Sequence, residues 1–170
     1  MTYVFTHGTG TEADPYLVET AADLNGVRDY LSAHFKQVAD IDLSGYENWE
    51  PIGTPGTSGC FKGVYDGNNK QITNLKINRP STNFVGLFGG AEGDLKNILL
   101  IDVDITGESY VGALAGTVYR VTRCMSSGLI SSTHSVAGGL VGWHNNGFPG
   151  FYVDECFSTA DVSGKYHSIG

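Results

Sequence analysis

The chain has 170 residues, 24 of them glycine, and a formal net charge of −8, and one domain of this size buries roughly 70% of its unfolded surface. That charge argues against nucleic-acid binding, which needs Lys and Arg to displace counterions, and it disfavours an anionic membrane surface; no apolar run approaches the ~20 residues of a membrane span. Three cysteines cannot all pair, so they read as free thiols and not as a disulfide scaffold.

Along the chain, Met1 to His7 carries neither a basic region nor an apolar stretch, so no signal peptide is expected in it. Residues 8–19 give a Gly-rich lead-in, a turn at Asp14-Pro15 and a short strand. Thr20 then has the chemistry of a helix N-cap with Asp23 in the capping-box place, and Leu24, Val27 and Leu31 recur at helical spacing. The spacing predicts an amphipathic helix over about 20–33. From Phe35 to Leu43 the period becomes two, with Ala39, Ile41 and Leu43 alternating with Asp40 and Asp42, which predicts one strand. A loop holding Trp49 comes next, then strands around residues 61–65, a turn at Asp66-Gly67-Asn68-Asn69, and strand material at Ile72, Leu75 and Ile77.

The remainder repeats itself. Gly86, Phe88 and Gly90 return as Gly112, Leu114 and Gly116, then as Gly138, Leu140 and Gly142, with a step of 26 residues. An incomplete copy opens at Ile169-Gly170, after an insertion around residues 144–151. A fixed step of this length marks a solenoid or propeller. The apolar residues of the repeat fall in short alternating bursts, so the coils are built from strands. The expected columns are Leu95, Val121 and Val153; Ile98, Cys124 and Cys156; Leu99, Met125 and Phe157; and, less cleanly, Val103, Leu129 and Asp161. The predicted fold is all-β, a right-handed parallel β-helix of about 26 residues per coil and roughly 20–25 Å tall. Residues 1–45 form its N-terminal cap, with the helix, and 46–170 its coils.

Residues 85–90, 111–116 and 137–142 resemble the GLUG motif, and the segments Asp40-Ile41-Asp42-Leu43, Trp49-Glu50-Pro51-Ile52-Gly53 and Phe61-Lys62-Gly63-Val64-Tyr65 resemble the same group. Such repeats occur in bacterial surface proteins, immunoglobulin-A-cleaving peptidases and phage tail-associated proteins. The resemblance implies a β-solenoid scaffold, a structural or adhesive module of a virion or a cell surface, and it transfers no catalytic signature. The zinc motif His-Glu-any-any-His is absent.

Four constellations carry candidate chemistry. Asp40/Asp42 and Asp102/Asp104 are i, i+2 carboxylate pairs that an acidic-polysaccharide lyase or glycoside hydrolase would use, although acids also alternate with core residues on any wet strand. Asp66 to Asn69 offers oxygen donors for calcium, and is equally a tight turn; no cofactor or metal is expected. Cys124 and Cys156 are expected to stack inside as small hydrophobes. Trp49, Tyr110, Tyr119, Trp143 and Tyr152 lie near loops and corners, where aromatic rings on one flank could take a glycan or another protein. The open C-terminal edge is expected to pair with further chain, with a copy of itself, or with another assembly protein.

Overall fold

The structure is a computed structural model describing residues 2–56, 58–144, 150 and 152–164. It is an all-β parallel solenoid of about four turns, with one short helix near the N-terminus. The strands in chain order are β1 (Tyr16–Val18), β2 (His34–Gln37), β3 (Ile41–Asp42), β4 (Val64–Asp66), β5 (Gln71–Thr73) and β6 (Lys76–Arg79). Two long bent strands come next, β7 (Phe88–Lys96) and β8 (Leu99–Gly107), then their successors β9 (Ala115–Thr122) and β10 (Met125–Ser132). The last are β11 (Val141–His144), β12 (Tyr152–Asp154), β13 (Phe157–Ser158) and β14 (Asp161–Gly164).

One sheet runs β1-β2-β4-β7-β9-β11, with β12 also on β9; the other runs β3-β5-β8-β10-β13, with β6 on β8 and β14 on β10. Every pairing is parallel, and single bridges Val85↔Val111↔Ala137 link the repeat starts. The step is not constant. Phe35, Tyr65 and Leu95 lie 30 residues apart, Leu95 and Val121 lie 26 apart, and Val121 and Val153 lie 32 apart. From β2 onwards this sheet's tightest step is therefore the 26-residue one.

Two expected columns are present as drawn: Leu95↔Val121↔Val153 and Leu99↔Met125↔Phe157. The fourth holds at Leu129↔Asp161 but slips by one at Val103. Val103 pairs with Gly128 and Leu129 with Asp104, because a bulge intervenes between Ser126 and Gly128, where φ is +121°. The bulge buries Val103 and turns Leu129 outward.

Thr20 caps α1 (Ala21–Gly26), accepting from the Asp23 N–H while the Asp23 carboxylate accepts from the Thr20 N–H. The helix is shorter than its periodicity predicts. It tightens to a 3-10 turn at Val27–Asp29, since Asn25-Gly26 propagates a helix poorly and the Tyr3 ring lies against Gly26. Leu24 and Val27 still bury completely, over an end plug of Tyr3, Phe5, Tyr16, Tyr30 and Phe35 rings.

The single strand expected over 35–43 is two, β2 and β3, in different sheets. The chain turns the corner between them, and buried Gln37 braces it by donating from Nε2 to the carbonyls of Ala39 and Gln71. Within residues 1–45, β2 pairs with β4 and β3 with β5 of the later coils.

The repeat glycines serve close approach and not left-handed turns. A Cβ at Gly112 would sit 2.5 Å from the backbone nitrogen of Gly142, and one at Gly142 would run into the Tyr110 backbone. The left-handed corners are taken by other residues, among them Phe84, Asn97, Asp102, Tyr110, Arg123 and Glu155. The incomplete fourth copy at Ile169-Gly170 and residues 145–149 of the insertion lie outside the described residues.

Candidate functional site: an aromatic cleft on one flank

Phe84 and Tyr110 occupy the same place in successive repeats, directly before Val85 and Val111, and both adopt positive φ. That backbone stacks their rings at 4.7 Å with planes 12° apart, and Trp143 on the next coil lies 6.1 Å from Tyr110. The residues after the closing glycines, Ala91, Thr117 and Trp143, complete a wall beside the loop carrying Pro55 and Gly56. Together with Cys60, Phe84, Glu92 and Tyr119 they line a cleft of about 260 Å³.

The cleft is apolar with a few polar groups. Glu92 reaches Lys62 at 3.6 Å. Thr117 is only 7% exposed, and its hydroxyl is, among the described residues, the one buried side-chain oxygen or nitrogen without a hydrogen-bond partner. Burial pushes the Cys60 thiol up to about 11, so it stays protonated at neutral pH.

Of the five aromatic residues singled out in the sequence, the structure gathers Tyr110, Tyr119 and Trp143 here. Tyr152 lies on β12 opposite Arg120 and does not line the cleft. Trp49 is corrected outright: it is completely buried, its indole N–H donates to the Leu87 carbonyl, and Arg28 lies over its ring. A side chain so enclosed holds the 45–59 loop to the coil and meets no ligand. Phe84, Thr117 and Glu92 were missed in the sequence, although Phe84 precedes the first repeat as Tyr110 precedes the second.

The acidic pairs fare differently. Asp42 accepts from the backbone and hydroxyl of Ser44 and from Asn74, which together hold its carboxyl below the usual range. Asp40 accepts from the Gln71 N–H. Both are stitches between coils. Asp102 and Asp104 are exposed, but Asp102 has φ +55°, so the extended geometry that would align the two carboxylates is broken between them. Asp104 borders a groove with Leu129, Ser131 and Asp161.

Asp66 accepts from the Asn68 N–H and the Asn97 side chain, with Lys96 at 3.7 Å; its oxygens are used by the turn and by a cation. Cys124 and Cys156 lie in neighbouring coils, with the Cys124 N–H donating to the Cys156 sulfur at 3.4 Å. The neighbouring Cys156 thiol, with burial, pushes Cys124 up, while Cys124 draws Cys156 down. A wider groove of about 680 Å³ runs along Ser44, Tyr46, Asn48, Asn74, Lys76 and Asn78. The Asn74 side chain donates to Asp42, and the Asn48 side chain donates to the Asn78 carbonyl and accepts from the Asn78 N–H. Among the described residues, no helix is long and apolar enough to cross a membrane.

No family model matches the chain. A protein of Evansella cellulosilytica named as a Gly-rich membrane protein is 45% identical over 130 residues, covering 69% of this chain. Halomucin of Haloquadratum walsbyi is 35% identical over 154 residues, covering 82%. A crystal structure of a Bacteroides ovatus protein, described as an immunoglobulin A1 protease, superposes with a TM-score of 0.72 at 20% identity, over 97% of this chain and 62% of that one. The likeness extends to the fold alone. The chain spans only 15% of the length of the Evansella protein and 2% of halomucin.

Proposed function

We propose that these residues form a rigid structural segment of a much longer surface protein, one that sets distance and presents a flank and does no chemistry of its own. The observation that carries this reading is the exposed last rung. Val153 continues the column of Leu95 and Val121, both core, yet it is 44% exposed. Apolar side chains and open strand edges of this kind are normally covered by another coil, and the occupant we assign is a further coil of the same polypeptide. The much greater lengths of both relatives support it. Their names also favour a cell surface over a virion, and a GLUG-type adhesive module fits the same picture.

Turnover tests the absence of chemistry. Incubated with neutral and acidic polysaccharides, the chain is expected to release no reducing ends and no unsaturated products above buffer. Cleavage that disappears in Asp102→Asn/Asp104→Asn would move the function to those acids.

A further inference from the structure

We infer that the aromatic cleft is a binding subsite for one ring of a neutral, hydroxyl-rich sugar. This goes beyond the structural role and does not depend on it. The walls supply the first argument. Phe84, Tyr119 and Trp143 line the cleft, and Tyr110 stacks behind Phe84 so that the ring is held in place. Aromatic faces take the C–H face of a sugar ring while leaving its hydroxyls to polar groups. At about 260 Å³ the cleft falls just short of the range for drug-sized ligands, roughly 300–1,000 Å³, which suits one ring with the remainder of a chain outside.

The floor supplies the second. Gly90, Thr117 and Trp143 share one rung across three coils. Glycine in the first coil lets Pro55 close over it, within 3 Å of where a Cβ would lie, the indole rises in the third, and the unpartnered Thr117 hydroxyl lies between them. A buried hydroxyl without a partner opposes folding, and a ligand hydroxyl is the natural group to satisfy it. Trp143 itself is 45% exposed, large for an indole that serves only the core. Charge selects among sugars. Glu92 stands at the cleft paired with Lys62, no Lys or Arg lines it among the described residues, and the chain carries −8 overall, so uronates and sialylated glycans find no cation in the lining, and neutral hexoses and their N-acetyl derivatives are favoured.

The two tryptophans make the test direct. Trp49 is sealed and Trp143 is open, so iodide quenching of intrinsic fluorescence reports Trp143 alone. Titration with glucose, galactose, mannose and N-acetylglucosamine, with galacturonate as the anionic control, is expected to protect Trp143 saturably for at least one neutral sugar, in the millimolar range. Galacturonate is expected to protect less. Thr117→Val keeps the shape and removes the hydroxyl. It is expected to raise the Tm while weakening sugar binding roughly tenfold, and Tyr152→Ala, away from the cleft, is expected to change neither. No saturable protection by any neutral sugar would overturn the proposal. So would equal or tighter binding of galacturonate, or sugar binding unaffected by Thr117→Val, the outcome expected if an ordered water alone satisfies that hydroxyl.

Discussion

Trp49 and Trp143 show how far composition alone misleads about a side chain. Both are tryptophans beside loops, yet one is sealed with its N–H bonded to Leu87 and the other stands on the flank. Trp49→Ala is expected to cost about 3–5 kcal/mol in urea unfolding, through the cavity left behind, whereas Trp143→Ala is expected to fall within about 0.5 kcal/mol. Asp23 shows the same dependence on context. Burial works against its ionisation, but hydrogen bonds from Tyr3, Thr20 and the Glu19 and Thr20 N–H groups outweigh that and lower its pKa. Its contribution is therefore present above about pH 4, the unfolded value, and lost as pH falls through the lower folded value. The partner hydroxyl of Tyr3 is pushed up to about 12, first by its bond to Asp23 and then by burial, so its contribution holds below about pH 10 and fades as pH rises towards 12. Tyr3→Phe is expected to flatten both limbs of a stability–pH curve, and a variant with unchanged limbs would show that this pair does not couple to folding.

At the scale of elements, the repeat glycines were legible and their reason was not. Their spacing announces a coil, while only the stacked backbones show that Gly116 faces Phe84 and Gly142 faces Tyr110. Neither has positive φ; each lets the left-handed aromatic corner of the previous coil come close. Gly142→Ala is expected to destabilise by about 1–3 kcal/mol, the range for overpacking. Gly45→Ala, where a Cβ meets nothing, is expected to change stability by under about 0.5 kcal/mol. Chemical denaturation of the two variants separates crowding from a general intolerance of side chains. The split of β2 from β3 and the bulge at Gly128 escaped the sequence for one reason. Alternation of apolar residues survives a corner or a single extra residue, so periodicity counts faces without showing where the chain changes sheet. The cleft was half visible for a related reason. Tyr110, Tyr119 and Trp143 could be picked by type, but Thr117 acquires meaning only from the rung it shares with Gly90 and Trp143.

Across the whole molecule, the core changes character along the stack. Large rings fill the N-terminal end, where Phe35, Phe61, Tyr65 and Phe88 touch in sequence. Aliphatic residues take over at Leu95, Leu100 and Val121, and then the column Leu100↔Ser126↔Ser158 turns polar, with the Ser126 hydroxyl donating to the Gly139 carbonyl and accepting from Ser158. The helix end is plugged by aromatics, and at the other end Val153, which continues the core column of Leu95 and Val121, is exposed. Such asymmetry suits a stack that continues from one end. The measurement that tests this most directly is the solution mass of the 170-residue chain by light scattering after size exclusion, across a wide concentration range. The account predicts association that grows with concentration, because a copy substitutes for a further coil, and its loss in Val153→Lys/Val162→Lys, at the last members of two core columns, with the fold intact by circular dichroism. A wild-type chain that stays monomeric at every concentration, or association that persists unchanged in the double variant, would contradict it.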